Sequence, residues 1–374
     1  MRPQNRKLKI FVPRLMDEAN TNAQNLNAKA LLARFDSPDI QWHTVYYNKP
    51  DPMVCDRENV TCHRLIRRRF WMWHIVVMYL YRYDAIFYPG NEWYDAKGLK
   101  WRKKIRKDIP IIATLEGIPG DEERETLLSE LVGHKVFCFR PRSGSNWTEY
   151  HDLVRHYSSH IIAISPFLSQ VCGYLYQKDN NVIPLGVDTK IFYPVPHRVK
   201  SMTVISAGTV YDAKRPMAFL ELAVSFPEIE FVWYGTGEKL QDMLEAVSEK
   251  GINNLTFIDQ VNQVELSKKY RESSIFVLPS FSEGVPKVTI EAAACGLPVV
   301  IFGFYESPSV LNGETGYVVW SNDELREKVG ELLVKSATAD KFGRRGAALA
   351  EQHDWNLIAP YWEEYISASI KGPD

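Results

Sequence analysis

Short runs dense in β-branched and aromatic residues alternate along this chain with longer stretches whose apolar residues recur every three or four positions. In the first half the short runs are KIFV (9–12), WHTVYY (42–47), AIFYP (85–89), PIIATL (110–115), KVFCF (135–139), HIIAIS (160–165) and NVIPL (181–185). Helical patterns such as TNAQNLNAKALLARF (21–35) and PFLSQVCGYLYQK (166–178) lie between them. In the second half the runs are MTVISAG (202–208), IEFVWYG (229–235), NLTFI (254–258), IFVLPS (275–280) and PVVIFG (298–303). RPMAFLELAVSF, EKLQDMLEAVSEK, QVELSKKYRES and PKVTIEAAAC separate these. Runs apolar on both faces and separated by helices predict parallel sheets covered on both sides. Two such series predict two doubly wound, Rossmann-like α/β domains. Prolines and charges interrupt the pattern in GVDTKIFYPVPHRVKS (186–201), which places the first domain at 1–190 and the second at 191–356. Helical stretches at 323–335, 339–352 and 357–370 follow the second series.

Composition narrows the function classes. The chain has 374 residues, more than one core ordinarily supports. Lys and Arg number 45 against 46 Asp and Glu, so no global charge draws it to nucleic acid. The N-terminal MRPQNRKLKIFVPR lacks the apolar core of a signal peptide, and WMWHIVVMYLY (71–81) is too short and interrupted to span a bilayer. These features predict a cytoplasmic protein. The N-x-T matches at Asn59, Asn146 and Asn254 are then chance matches. Cys55, Cys62, Cys138, Cys172 and Cys295 are odd in number and form no C-x-x-C, so reduced thiols are expected. A metal site from Cys55, Cys62 and His63 is the weaker reading, because the spacing fits no standard site.

In open parallel sheets ligands bind beyond the carboxyl ends of the strands. After IFVLPS comes SEGVPKVTIEAAACGLPVV (282–300). Pro286 suits the first position of a helix, and Val285 before it has no side-chain oxygen to cap one. The N–H groups of Gly284, Lys287, Val288 and Thr289 are thus candidates to greet an anion at the positive end of the helix dipole. Glu291, in the second turn, lies beyond that anion. It reads either as an acceptor for a ribose diol or as a surface partner of Lys287. After MTVISAG, TVYDAKRP puts Lys214 and Arg215 just before a helix. No D-x-D motif stands ready to hold a divalent metal, so these cations are candidates to balance a diphosphate; a solvated turn is the plainer reading.

SEGVPKVTIEAAACGLPVV resembles the E-x7-E signature of family 4 retaining glycosyltransferases, which have the GT-B architecture of two Rossmann-like domains facing across a cleft. VIPLGVDTKIFYP (182–194), AGTVYDAKRP, WYGTGE (233–238), ETGYVV (314–319) and the late Asp354–Trp355 pair also resemble that family. The resemblance covers the second domain well and the first only by layout. It implies that Glu283 contacts the donor sugar near the reacting carbon and that Glu291 binds the ribose. It implies that Lys214 neutralises the leaving diphosphate with backbone N–H groups after Glu283, that Val261 lies near the base, and that a final helix at 357–370 crosses back to complete the first domain. It further implies retention of configuration without a metal ion or cofactor.

Three positions depart from the family pattern. Thr209 stands where a basic residue is usual, with Arg215 as a possible substitute. PRLMDEANTNAQ (13–24) replaces the glycine pair after the first strand. Glu116 ends PIIATL where a histidine is usual; it could orient an acceptor hydroxyl, stabilise positive charge on the sugar ring, or face water as an ordinary loop residue. On the acceptor side, RLIRRRFWMWH (64–74) and KGLKWRKKIRK (97–107) interleave basic residues with tryptophan, which suits peripheral contact with an anionic membrane or, more plainly, solvated helix faces. The expectation is a hexosyltransferase that uses a nucleotide diphosphate sugar and a sugar or lipid-linked acceptor in cell-surface polysaccharide or lipopolysaccharide synthesis. The alternative is a non-catalytic GT-B protein that binds nucleotide without turnover.

Overall fold

The structure, a computed structural model, describes residues 6–20, 22–65, 82–90, 93–105, 109–140, 146–195 and 201–371. Two compact units are found. One comprises residues 1–120, 140–185 and 355–374; the other comprises 121–139 and 186–354.

The first unit holds seven strands: β1 Leu8–Leu15, β2 Ile40–Tyr46, β3 Val60–Arg64, β4 Ala85–Phe87, β5 Ile111–Leu115, β6 His160–Ala163 and β7 Asn180–Val182. They pair in the order β3-β2-β1-β4-β5-β6-β7, every pairing parallel. The second unit holds β8 Thr203–Ala207, β9 Glu230–Tyr234, β10 Leu255–Ile258, β11 Ile275–Leu278, β12 Val299–Phe302 and β13 Gly316–Val319. Their order is β10-β9-β8-β11-β12-β13, again all parallel. Both sheets therefore reverse direction beside their first strand, between β1 and β4 and between β8 and β11. Such a switch point is where an open parallel sheet leaves a crevice for a ligand.

The central strands are mostly apolar because both their faces are covered. Every residue of β5, β8, β11 and β12 is buried. Some helices start where the sequence supplies a cap. Ser165 accepts from Leu168 N–H ahead of the helix Pro166–Tyr176, and Asn262 accepts from Glu265 N–H ahead of Gln263–Glu272. The final helix, Trp355–Lys371, lies in the first unit, where Trp362 donates to the carbonyl of Pro184 at 2.9 Å.

Some expectations need correction. KVFCF (135–139) belongs to no strand of either sheet; it follows the helix Glu122–Val132 within the second unit. Two edge strands, β3 and β13, escaped the reading because their half-exposed faces carry polar residues or glycine. Cys55 and Cys62, expected as thiols, form a disulfide. The chain turns back between the short helix Pro52–Cys55 and β3, bringing the two Cα atoms to 5.6 Å and consuming both sulfurs of the weaker metal reading. Cys138, Cys172 and Cys295 form no disulfide, and all three are buried. Of the basic stretches, 66–74 and 106–107 lie outside the described residues, as does 71–81.

Candidate active site

In the second unit the loops after β8 and β11 flank the switch point. After β8 the chain passes Gly208, makes a 3-10 turn at Asp212–Lys214, and turns through Arg215 at φ 52° into the helix Pro216–Ser225. After β11 it runs through Pro279–Pro286 into the helix Lys287–Ala294. The loops are tied directly, Phe281 N–H donating to Ala213 C=O at 2.8 Å. Glycines of WYGTGE explain the close approach of a third loop. A Cβ on Gly235, at φ 144°, would sit 2.1 Å from the Gly208 carbonyl oxygen, so only glycine fits there.

Lys214 and Glu283 meet in this setting. Lys214 Nζ lies 2.5 Å from Glu283 Oε1, with side chains only 12% and 11% exposed. Two tyrosines feel the carboxylate: burial first, and then the Glu283 charge, hold the Tyr211 and Tyr305 hydroxyls above their ordinary range.

The helix start is uncapped by any side chain, but it lies one residue later than expected. Pro286 is the cap residue at ψ 112°, outside the helix, and Lys287 is the first helical residue. Thr289 is also corrected: its N–H bonds the Pro286 carbonyl at 3.2 Å and its hydroxyl donates to the same oxygen at 2.6 Å. Among the described residues the N–H groups of Gly284 and Val288 take no protein acceptor. Val285, between them, is half-buried beside the turn.

Glu291 is buried, 5% exposed, which removes the reading of a surface pair with Lys287. Burial pushes its carboxyl above the usual range, while the Lys287 charge and a hydrogen bond from the Gln263 side chain pull it back. Tyr270 lies close enough that burial and then the Glu291 charge raise its hydroxyl, an atom without a partner among the described residues. Val261 sits half-buried against the core, two residues before Gln263.

Arg215 has a structural job. Its guanidinium lies 4.0 Å from the Phe281 ring centre and 4.6 Å from that of Phe302, and donates to Asn322 Oδ1 at 2.6 Å. These contacts anchor it, while Thr209 is exposed.

In the first unit, Glu116 follows β5 and does not simply face water. Tyr88 donates its hydroxyl to the carboxylate, and Asn27 Nδ2 donates at 3.2 Å. Arg14, in β1, holds the chain after β4 by donating to the carbonyls of Tyr88 and Pro89. The loop at 13–24 is pinned by two residues the sequence reading passed over. Asp17 accepts from Tyr47 and Asn48 N–H at 2.9 and 2.7 Å, and the buried Lys29 donates to Asp17 C=O at 2.6 Å while pairing with Asp51 at 2.9 Å. Among the described residues no group of three His, Cys, Asp or Glu side chains gathers as metal ligands would.

Residues 188–348 match the family model of glycosyl transferases group 1. Over 215 residues the chain is 28% identical to D-inositol 3-phosphate glycosyltransferase of Paenarthrobacter aurescens, covering 51% of this chain and 52% of that protein. Over 226 residues it is 22% identical to alpha-galactosylglucosyldiacylglycerol synthase of Streptococcus pneumoniae, covering 55% and 60%. The chain thus spans about half the length of the curated relatives it matches. Among solved structures, sucrose-phosphate synthase of Thermosynechococcus elongatus aligns with a TM-score of 0.73 at 16% identity, covering 97% of this chain and 98% of that one. Anabaena Alr3699/HepE in complex with UDP-glucose aligns with a TM-score of 0.72 at 15% identity, covering 96% and 99%. These likenesses and the paired parallel sheets give the chain a GT-B fold, as the sequence leads one to expect.

Proposed function

We propose that this protein is a retaining hexosyltransferase that moves a sugar from a nucleotide diphosphate donor to a hydroxyl of a sugar or lipid-linked glycan. The observation that carries the proposal is the Lys214–Glu283 ion pair at the β8/β11 switch point, beside an uncapped helix start and with the buried Glu291 in the second turn of that helix. In this reading the diphosphate draws Lys214 toward itself and lies on the Gly284 and Val288 N–H groups, where the helix dipole favours an anion. Glu283, released from its partner, faces the sugar. Glu291 accepts hydrogen bonds from the ribose hydroxyls, which would replace the solvation that burial denies it. Stabilising the departing diphosphate is the main electrostatic task of such a site. The donor face is read as metal-independent because Lys214 and backbone N–H groups supply that stabilisation. UDP leads the candidate nucleotides because the Anabaena neighbour is described with UDP-glucose.

The acceptor side is proposed to meet an anionic membrane surface, which would place the protein on the cytoplasmic leaflet. On the helix Trp93–Ile105, Ala96 and Leu99 face the core, whereas Lys97, Lys100, Trp101 and Lys104 are exposed, one helical face of three cations and an aromatic ring. No helix among the described residues is long and apolar enough to cross a membrane. A nucleotide-binding protein without turnover is the second reading. It is favoured by the anchoring of Arg215 on Asn322, which leaves Lys214 as the cation of that loop near the Glu283 carboxylate.

Nucleotide release from a panel of UDP-, GDP- and ADP-hexoses, with and without a membrane glycan extract, tests the proposal. One donor is expected to turn over when acceptor is added, with the product linkage retaining the donor's anomeric configuration by NMR. Activity should survive EDTA and vanish in Glu283→Ala. Acceptor-independent binding with no turnover of any donor would support the second reading. Equal flotation with anionic and neutral liposomes would remove the membrane assignment.

A further inference from the structure

We infer that Phe137 is a positioning residue for the Glu283 and Lys214 loops, acting through a strap formed by residues 135–139. The strap follows β5, Glu116 and the helix Glu122–Val132 in the chain, yet with that helix it is built into the second unit. Its backbone is held at the root by the helix Glu122–Val132: Val136 N–H donates to Ser129 Oγ at 2.9 Å, and Cys138 N–H to Glu125 Oε1 at 3.0 Å.

Its tip engages both loops of the candidate site. Ser282, buried and immediately before Glu283, donates its hydroxyl to the Phe137 carbonyl at 2.7 Å. The Phe137 ring stacks on Phe281 with centres 4.6 Å apart and meets Phe304 edge-on at 5.0 Å. Phe139 meets Tyr211, three residues before Lys214, at 6.0 Å. Lys135 covers the outer face of Phe137 at 4.6 Å.

The loop from Pro279 to Pro286 has no regular secondary structure of its own, so its conformation depends on what packs against it. Two contacts on consecutive residues, a hydrogen bond at 282 and a ring stack at 281, fix the backbone from which Glu283 projects. A carboxylate displaced by about 1 Å loses much of its value to a reaction it must meet at a fixed distance. Phe137 itself touches the two residues before Glu283, whereas Lys214 is approached only through Phe139 and Tyr211, so loss of the Phe137 ring should act on turnover more than on nucleotide affinity. That kinetic consequence rests on the transferase reading above; the ordering of the loops does not.

The test compares wild type, Phe137→Ala, Phe137→Tyr and Ser282→Ala by hydrogen exchange and by steady-state kinetics with the accepted nucleotide sugar. Faster exchange is expected in peptides covering 280–285 and 209–215 of Phe137→Ala, with peptides across β9 and β10 unchanged. kcat should fall about tenfold or more with donor KM within about threefold, and Phe137→Tyr should recover most of both. Unchanged exchange at 280–285 in Phe137→Ala overturns the inference, as does a loss confined to KM. Should Phe137→Ala unfold, Ser282→Ala removes a single hydrogen bond and decides by the same readouts. If wild type turns over no donor, the transferase reading fails, and the exchange data still decide the role of the strap.

Discussion

Lys214 Nζ and Glu283 Oε1 lie 2.5 Å apart, joining the loop after β8 to the loop after β11 through two side chains that are almost wholly buried. Removing one partner leaves the other charge uncompensated. Lys214→Ala is therefore expected to destabilise the protein by roughly 1–3 kcal/mol in urea unfolding, and Lys214→Ala/Glu283→Ala to recover part of that loss. Equal stability of wild type and the single variant would mean that the pair is solvated and exchangeable.

Glu291 is costly to keep charged. Its folded carboxyl titrates above the usual value because of burial. Between the unfolded and the raised folded value the folded state binds more protons, so this group's contribution to stability falls as pH rises through that window. Glu291→Gln removes the charge, keeps the volume, and should raise the melting temperature at pH 7. It should also weaken nucleotide binding about tenfold by depriving the ribose of a strong acceptor. A lower melting temperature, or an unchanged dissociation constant, would contradict its assignment.

The first unit should soften in mild acid. His43 Nδ1 and His63 Nε2 lie 2.9 Å apart on adjacent strands. Burial first, then His63 and Lys9, lowers the His43 pKa to about 4. The unfolded chain binds this proton more readily, so stability is lost as pH falls through the window between about 6.5 and about 4. A loss of roughly 1–2 kcal/mol is expected on going from pH 7 to pH 5, and His43→Gln should flatten that dependence. Identical pH profiles for wild type and variant would show that His43 is not the group responsible.

The Cys55–Cys62 disulfide closes a short loop at the β3 edge of the first sheet. Loop-closure entropy assigns such a bridge roughly 2 kcal/mol, so Cys55→Ser/Cys62→Ser should unfold at lower urea concentration. Nucleotide affinity should stay unchanged, because both cysteines lie in the first unit. Thiol titration finding five reactive groups in the unfolded, unreduced protein would show that the bridge does not form.

Much of this was legible because parallel sheets write themselves as unbroken apolar runs. β8, β11 and β12 read directly, Lys214 stands out as a charge just past such a run, and the role of Glu283 is read only from the resemblance of SEGVPKVTIEAAACGLPVV to the E-x7-E signature. Two of the four edge strands, β3 and β13, were not legible: β3 carries VTCHR, whose partial exposure erases the apolar signal. KVFCF misled because its apolar residues serve aromatic stacking on Phe281 and Phe304, not a sheet. The Tyr88–Glu116–Asn27 contacts were hidden because they join residues 28 and 89 positions apart. Arg215 reads as a candidate phosphate ligand, and only the structure shows that Phe281, Phe302 and Asn322 also engage its guanidinium.

The central claim is a nucleotide diphosphate site centred on Lys214, and calorimetric titration of UDP, GDP and ADP in EDTA tests it most directly. One nucleotide should bind wild type, with an affinity at least about tenfold weaker in Lys214→Ala. Binding of none of the three, or equal binding by wild type and Lys214→Ala, would contradict it.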